Sequence, residues 1–255
     1  GSHHDWLEGR GSQLVLSAAI DDATSEIAFA LFREQEDAAG YFLLLREIAE
    51  RHGLPLALYA DRHTIFQSPK QPTLEQQLAA EPPRSQFGRL VDELDIELFQ
   101  AYSPQAKGRI ERLFGTLQDR LVKELRRARA STLEQADRLL LDFLPRFNAR
   151  FAQEPPQPES AYRSWPAGLD PDAVFCFKHP RTVANDNTIA FSGHRFQIPA
   201  DRYRGTYARC RVEVRQHLDG QLSTWYQGRQ LLCIAPAERV PPRVNKFTPL
   251  TPPQR

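Results

Sequence analysis

The chain has 255 residues, with 33 Lys+Arg against 32 Asp+Glu, three Cys, 20 Pro and no Met. At 41% hydrophobic and 25% charged it has the composition of a folded domain rather than a disordered chain. Its apolar runs fall far short of the roughly 20 residues needed to span a bilayer, and Cys176, Cys210 and Cys233 make neither a CxxC spacing nor an even disulfide set, which argues against a structural zinc site and for a reducing compartment. No membrane partner is expected, and a cytoplasmic location is. A chain without Met lacks an initiator residue, so Gly1 is taken as a cut end.

In chain order, Gln13 to Ile20 reads as a buried strand stopped by Asp21-Asp22, and Glu26 to Phe32 as a second strand, together a hairpin. Asp37 is placed to cap a helix through Tyr41–Arg51 that ends at His52-Gly53. Pro55 to Tyr59 follows as a short buried strand, with Asp61 just past its carboxyl end. After a Pro- and Gln-containing stretch (68–84), Gln86 to Leu94 suits a helix and Ile96 to Phe99 a strand; Ser103-Pro104 then starts a long helix to about Arg129, because Pro at the first helical position loses no hydrogen bond. Strand, strand, helix, strand is a mixed α/β order.

The halves differ in charge. Residues 1–154 carry 19 Lys+Arg against 24 Asp+Glu, a net of −5, and residues 155–255 carry 14 against 8, a net of +6. Between them, the three prolines of Gln153 to Pro158 favour an extended connector. Beyond it, short strands around Thr188, Arg195, Arg211 and Ser223 alternate with Ser192-Gly193, Asp219-Gly220 and Gln227-Gly228 turns, which suggests a small β-barrel. The expected organisation is an α/β core with C-terminal helices over 1–152, a Pro-rich linker over 153–172, a small barrel over 173–235 and a Pro/Arg-rich tail over 236–255.

Two residues stand out chemically. Asp61 lies where α/β sheets expose ligand-binding side chains, and Glu111 lies on the helix that starts at Pro104. Convergent carboxylates are what hard divalent cations require. Lys107, Gly115 and Gln118 share a helical face with Glu111, so that face should meet phosphate if Glu111 holds metal. His3, His4 and His63 are weaker candidates for the same site. Lys123, Arg126, Arg127 and Arg129 suit either a helix C-terminus or a phosphate track. In the second half, Arg202, Arg204, Arg209, Arg211 and Arg215, interleaved with Tyr203 and Tyr207, suit phosphate contacts and stacking.

The stretch Ser103 to Gln118, SPQAKGRIERLFGTLQ, preceded by Tyr59-Ala60-Asp61 and by Ile20 to Ser25, closely resembles the integrase core of bacterial insertion-sequence transposases, relatives of retroviral integrases. The resemblance runs from Asp5 to about Tyr162, and the region after it resembles the β-barrel that follows such cores. It implies an RNase H-like core followed by an SH3-like barrel, an Asp-Asp-Glu triad, two Mg²⁺ (or Mn²⁺) ions, and cleavage and strand transfer of DNA by multimers on transposon ends. By position, Asp61 is the second acidic residue and Glu111 the third. Their separation of 50 positions exceeds the usual family interval, and the extra length falls in the Pro- and Gln-containing segment. The first acidic residue is either Asp5 or an aspartate immediately upstream of Gly1; Asp21 and Asp22 read as turn residues. Lys107, Gln118, Arg204 and Arg211 are the expected DNA contacts. The alternative is a catalytically inactive core that binds DNA or serves assembly, since fold does not fix function.

Overall fold

The computed structural model describes residues 1–60, 65–66, 84–100, 104–157 and 159–234, without the side chains of 100 and 104–107. The chain divides into two compact units, Gly1–Phe177 with Gln216–Gln221, and Lys178–Arg215 with Leu222–Arg255.

The first unit opens with β1 (Ser2–His4), β2 (Leu14–Ile20) and β3 (Ile27–Arg33), an antiparallel sheet in the order β1-β2-β3. The expected hairpin is β2–β3. Its turn is held by the Asp21 carboxylate, which accepts from the N–H groups of Ala23 (2.8 Å) and Thr24 (3.0 Å). Helix α1 (Ala38–Arg51) starts at Asp37, whose side chain accepts from Gly40 N–H at 2.7 Å, so the capping read from the sequence is realised. After β4 (Leu54–Pro55) and β5 (Ala57–Ala60), helix α2 (Gln86–Glu93) is capped by Ser85. Strand β6 (Glu97–Gln100) pairs in parallel with β5. Long helices α3 (Pro104–Arg127) and α4 (Leu133–Phe151) follow, then β7 (Tyr162–Arg163), which pairs with β4, and the short α5 (Pro171–Val174). The β7 pairing falls within the segment expected to be a linker. Gly53, at φ +98°, turns the chain from α1 into β4 against the Arg163 carbonyl, where a Cβ would collide.

Hydrophobic periodicity decides the layering. Helix α3 repeats Leu113, Leu117, Leu121 and Leu125, all buried, on one stripe, and α4 offers Ala136, Leu140, Phe143 and Phe147. Both stripes pack on Leu14, Leu16, Ala30 and Phe32 of the sheet. The opposite face, Ala28, Phe29 and Leu31, packs on Leu44 and Ile48 of α1. The sheet is therefore the middle of an α/β/α sandwich, which establishes the mixed α/β class.

Strand β3 is the sheet edge, and side chains from the helices take up its backbone groups. Asn148 on α4 accepts from Ile27 N–H and donates to Ile27 O, each at 3.0 Å. Asp137, also on α4, accepts from Phe32 N–H at 2.7 Å, and burial pushes its carboxyl above the ordinary aspartate value despite that bond. The ring of His52 meets Ala28 O at 3.0 Å. An edge occupied in this way is a poor template for a further strand.

The β-rich remainder comprises β8 (Cys176–Thr182), β9 (Thr188–Phe191), β10 (His194–Gln197), β11 (Arg211–His217), β12 (Leu222–Tyr226) and β13 (Arg229–Leu231). They form two antiparallel sheets, a β9–β10 hairpin and a four-stranded sheet in the order β13-β12-β11-β8, with a bridge between Gln197 and Ile234. Ser192-Gly193 and Gln227-Gly228 all have positive φ and form two-residue hairpin turns. Val183, Ile189, Ile198, Tyr207, Val212 and Val214 form the core of the second unit.

Candidate functional site

Helix α3 carries Glu111, and two contacts define how the helix lies along the start of the chain. Gln118 Nε2 donates to Ser2 Oγ of β1 at 3.1 Å, and Arg126 donates through Nε to Glu8 at 2.8 Å. Residue numbers rise together along both segments, so the chain from Ser2 to Glu8 and the helix from Gln118 to Arg126 run in the same direction. Glu111 lies outside this bracket. Seven residues before Gln118 is about 10 Å along the helix axis, so Glu111 lies beyond the Ser2 end of this segment, away from Glu8.

Asp5 lies inside the bracket, on the other side of Ser2. It is exposed, its Oδ1 accepts from Gly9 N–H at 3.1 Å, and its carbonyl accepts from Glu8 N–H at 3.2 Å. It thus organises the turn that drops Trp6, fully buried, into the core. The structure does not bring Asp5 and Glu111 together. Asp61 and His63 lie outside the described residues, but β5 ends at Ala60, immediately before Asp61. Glu111 is exposed on α3, and Gly115, one turn on, has open space where a Cβ would stand. Among the described residues no three His, Cys, Asp or Glu side chains gather closely enough to hold a metal.

Of the expected DNA contacts, the Lys107 side chain lies outside the described residues. Gln118 is half-buried and gives its amide to Ser2. Lys123 is paired with Asp119 at 2.6 Å, Arg126 with Glu8, and Arg127 with Glu124 at 3.4 Å. Hydrogen bonds from Arg126 and then Arg10 hold the Glu8 carboxyl down at about 2. His3 meets Glu36 at 3.3 Å, and His4 packs edge-on against Trp6.

In the second unit, Arg204 donates to Thr206 O at 2.8 Å and to the Tyr226 hydroxyl at 3.0 Å. Arg211 is exposed at the start of β11, with no partner among the described residues. Arg215 is bound to Glu213 at 2.7 Å and lies 4.2 Å over the Trp225 ring. Arg229 is a residue that sequence reasoning does not single out. It stacks over Tyr203 at 3.9 Å and donates to the Tyr207 hydroxyl at 2.7 Å. The Gln227-Gly228 turn carries a signal for part of this, because a two-residue hairpin sets Arg229 opposite Tyr226; nothing local links it to Tyr203.

These features define a mixed α/β protein with an exposed helical carboxylate, a strand ending at an aspartate, and an Arg/Tyr-rich β unit. Comparison with known proteins makes the class more specific. The chain is 36% identical over 235 residues to the Sinorhizobium fredii protein named "Putative transposase y4bF", covering 91% of this chain and 50% of that protein. It is 32% identical over 225 residues to the transposase for insertion sequence IS1202 of Streptococcus pneumoniae, covering 87% and 46%. Over most of its length the chain is a relative of insertion-sequence transposases, and it spans about half the length of the curated relatives it matches. A solved simian T-cell lymphotropic virus intasome, in complex with PP2A regulatory subunit B56 gamma, aligns at 14% identity and a TM-score of 0.43, over 93% of this chain and 77% of that one; that likeness is too loose to argue from. No protein-family model matches the chain. Among the described residues no helix is long and apolar enough to cross a membrane.

Proposed function

We propose that this chain is the catalytic part of an insertion-sequence transposase, an RNase H-like core followed by a small barrel-like DNA-binding unit, and that it cuts and joins DNA as a homo-oligomer assembled on transposon ends. The observation that carries the reading is the similarity to two transposases over about nine tenths of the chain. The placement of Glu111 supports it, since a carboxylate exposed on a helix anchored by a buried leucine stripe is held rigidly at the surface, where DNA can reach it.

Asp61, Glu111 and a third carboxylate would hold two Mg²⁺ or Mn²⁺ ions, whose hard-oxygen preference suits this donor set. When bound, the ions would neutralise charge building on the attacked phosphodiester. In strand transfer a DNA 3′-hydroxyl gives up its proton and attacks phosphorus in line, one P–O bond forms as another breaks, and the departing 3′-oxygen takes up a proton, so that bonds and protons balance. The chain's own contribution is to hold the carboxylates and to grip DNA so that nucleophile and phosphorus are aligned. For the third carboxylate, Asp5 is disfavoured by its turn bond to Gly9 and its position within the Ser2–Glu8 bracket. An aspartate preceding Gly1 in the parent protein would enter from the Ser2 end of that bracket, the end nearer Glu111.

The test is calorimetric Mn²⁺ titration together with strand transfer of a pre-cleaved end, using the chain extended upstream by an aspartate-bearing segment. Binding and transfer should both fall in Asp61→Asn and Glu111→Gln and be indifferent to Asp5→Asn. DNA binding without Asp61- or Glu111-dependent metal binding would overturn the catalytic reading in favour of an inactive core that serves DNA binding or assembly.

A further inference from the structure

The second unit has two Arg/aromatic surfaces, and they differ in what their guanidinium groups are bound to. On the face of the four-stranded sheet opposite Val212 and Val214, Arg215 is only 15% exposed, bound to Glu213 and lying over the Trp225 ring. At the other surface, the turn 201–204 presents Arg202, Tyr203 and Arg204 to solvent. Arg202 lies 4.6 Å over the Tyr203 ring and Arg229, arriving from β13, lies 3.9 Å from the same ring. Tyr203 is nevertheless 60% exposed. Arg204 lies 5.8 Å over Tyr207 and 5.6 Å over Tyr226.

One carboxylate organises this corner. Asp201 accepts from Tyr203 N–H and Arg204 N–H, each at 2.9 Å, and from the Tyr207 hydroxyl at 2.8 Å, with Arg229 at 3.5 Å. Burial opposes its ionisation, but those hydrogen bonds outweigh burial and hold the carboxyl below its ordinary value. Its acceptor capacity is thereby committed to the turn. Among the described residues it is the one carboxylate paired with any of the three arginines, so three permanent positive charges stand against one negative charge. Each guanidinium has five donors in a planar fork, and its hydrogen bonds within the unit engage one or two of them on each arginine. Contact with the tyrosine rings restrains the guanidinium groups at an exposed turn. Such pre-organised forks match phosphate oxygens better than mobile lysines do.

We propose that the Arg202–Tyr203–Arg229 stack, with Arg204 beside it, is the surface by which the second unit grips the phosphate backbone of duplex DNA. The proposal rests on the transposase reading and deepens it, by making Arg229 a phosphate contact and by locating the grip at the 201–204 turn rather than on the Arg215–Trp225 sheet face. Contacts of this kind position DNA without reading its sequence.

The test is fluorescence anisotropy of the whole chain with labelled duplexes of unrelated sequence, in EDTA so that metal binding plays no part, over about 50 to 200 mM salt. Removing one arginine from the phosphate backbone should reduce the slope of log affinity against log salt by about 0.9, so Arg202→Gln with Arg229→Gln should lower it by nearly two, equally for all duplexes. Arg202→Glu, at an exposed turn position outside the core, should weaken binding on its own and serves if the double variant fails to fold. The proposal is overturned if both folded variants keep the wild-type slope, or if Arg215→Gln lowers the slope as much as the double variant. It is also overturned if the variants alter sedimentation while leaving DNA binding intact, which would give the surface to a second copy of the chain. None of these outcomes bears on Asp61 or Glu111, because the assay contains no free metal.

Discussion

Four cations of helix α3 and the three arginines of the 201–204 corner stand in opposite circumstances, although Arg120 of α3 lies over the Phe151 ring at 4.8 Å. Along α3, Arg109, Lys123, Arg126 and Arg127 each lie within ion-pair distance of a carboxylate, respectively Asp22, Asp119, Glu8 and Glu124. At the corner, Arg202, Arg204 and Arg229 lie over tyrosine rings, and among the described residues only Arg229 is paired with a carboxylate, Asp201. Paired exposed charges cancel locally and add little stability, whereas guanidinium groups held by aromatic faces keep their charge and their donors for another molecule. A run of basic residues therefore says little about affinity for nucleic acid until its counter-charges are known.

That contrast can be broken or sharpened experimentally, beginning with the largest effect. Glu111 is the α3 carboxylate proposed to hold metal, so Glu111→Gln should cut metal-dependent strand transfer by roughly 100-fold or more, the scale of losing one group that stabilises transition-state charge. Metal-free DNA affinity should be unchanged, and equal loss of both would show that Glu111 is only structural. If the apolar stripe rather than the ion pairs holds α3, Leu117→Ala, at a fully buried position, should cost about 3 kcal/mol in urea unfolding. A cost below about 1 kcal/mol would put the helix outside the core.

The Arg126–Glu8 pair should reveal itself only in acid. The Glu8 carboxyl falls from 4.5 to about 2 on folding, so its contribution is present above about 4.5 and is lost as pH falls toward 2. Melting temperature against pH should therefore be flatter across that window in Glu8→Gln than in the parent, and parallel profiles would remove the pair from the account. The smallest effect belongs to Lys123→Gln. Lys123 and Asp119 are both more than 60% exposed, so the melting temperature should move by no more than about 2 °C; a larger drop would mean that the helix depends on its surface charges after all.

Much of the fold was legible because its causes are local. The Asp37 cap, the leucine repeat of α3, the continuous apolar runs of β2 and β3 and the Gly-marked hairpin turns each depend on residues a few positions apart. The small sheets of the second half follow from the same signals, though their arrangement as two sheets does not. Strand β1, three residues long, is too short to show a period, and Pro145 inside α4 reads as a helix breaker because it removes a backbone donor. Helix α4 persists because Leu140, Phe143, Leu144 and Phe147 around that proline are buried against the sheet.

The candidate site divides along the same line. Composition, spacing and the Ser103 to Gln118 motif determined the kinship with transposases and singled out Asp61 and Glu111. They left Asp5 and an upstream aspartate unresolved, since sequence distance does not say which segments lie level with one another. The tertiary structure adds the docking of Ser2 on Gln118 and of Glu8 on Arg126 across more than a hundred residues, which supports the proposed exclusion of Asp5. It likewise brought Arg229 onto Tyr203. Secondary structure is written in short-range periodicity and capping, whereas the meeting of distant side chains depends on how buried faces pack, and packing belongs to the whole fold.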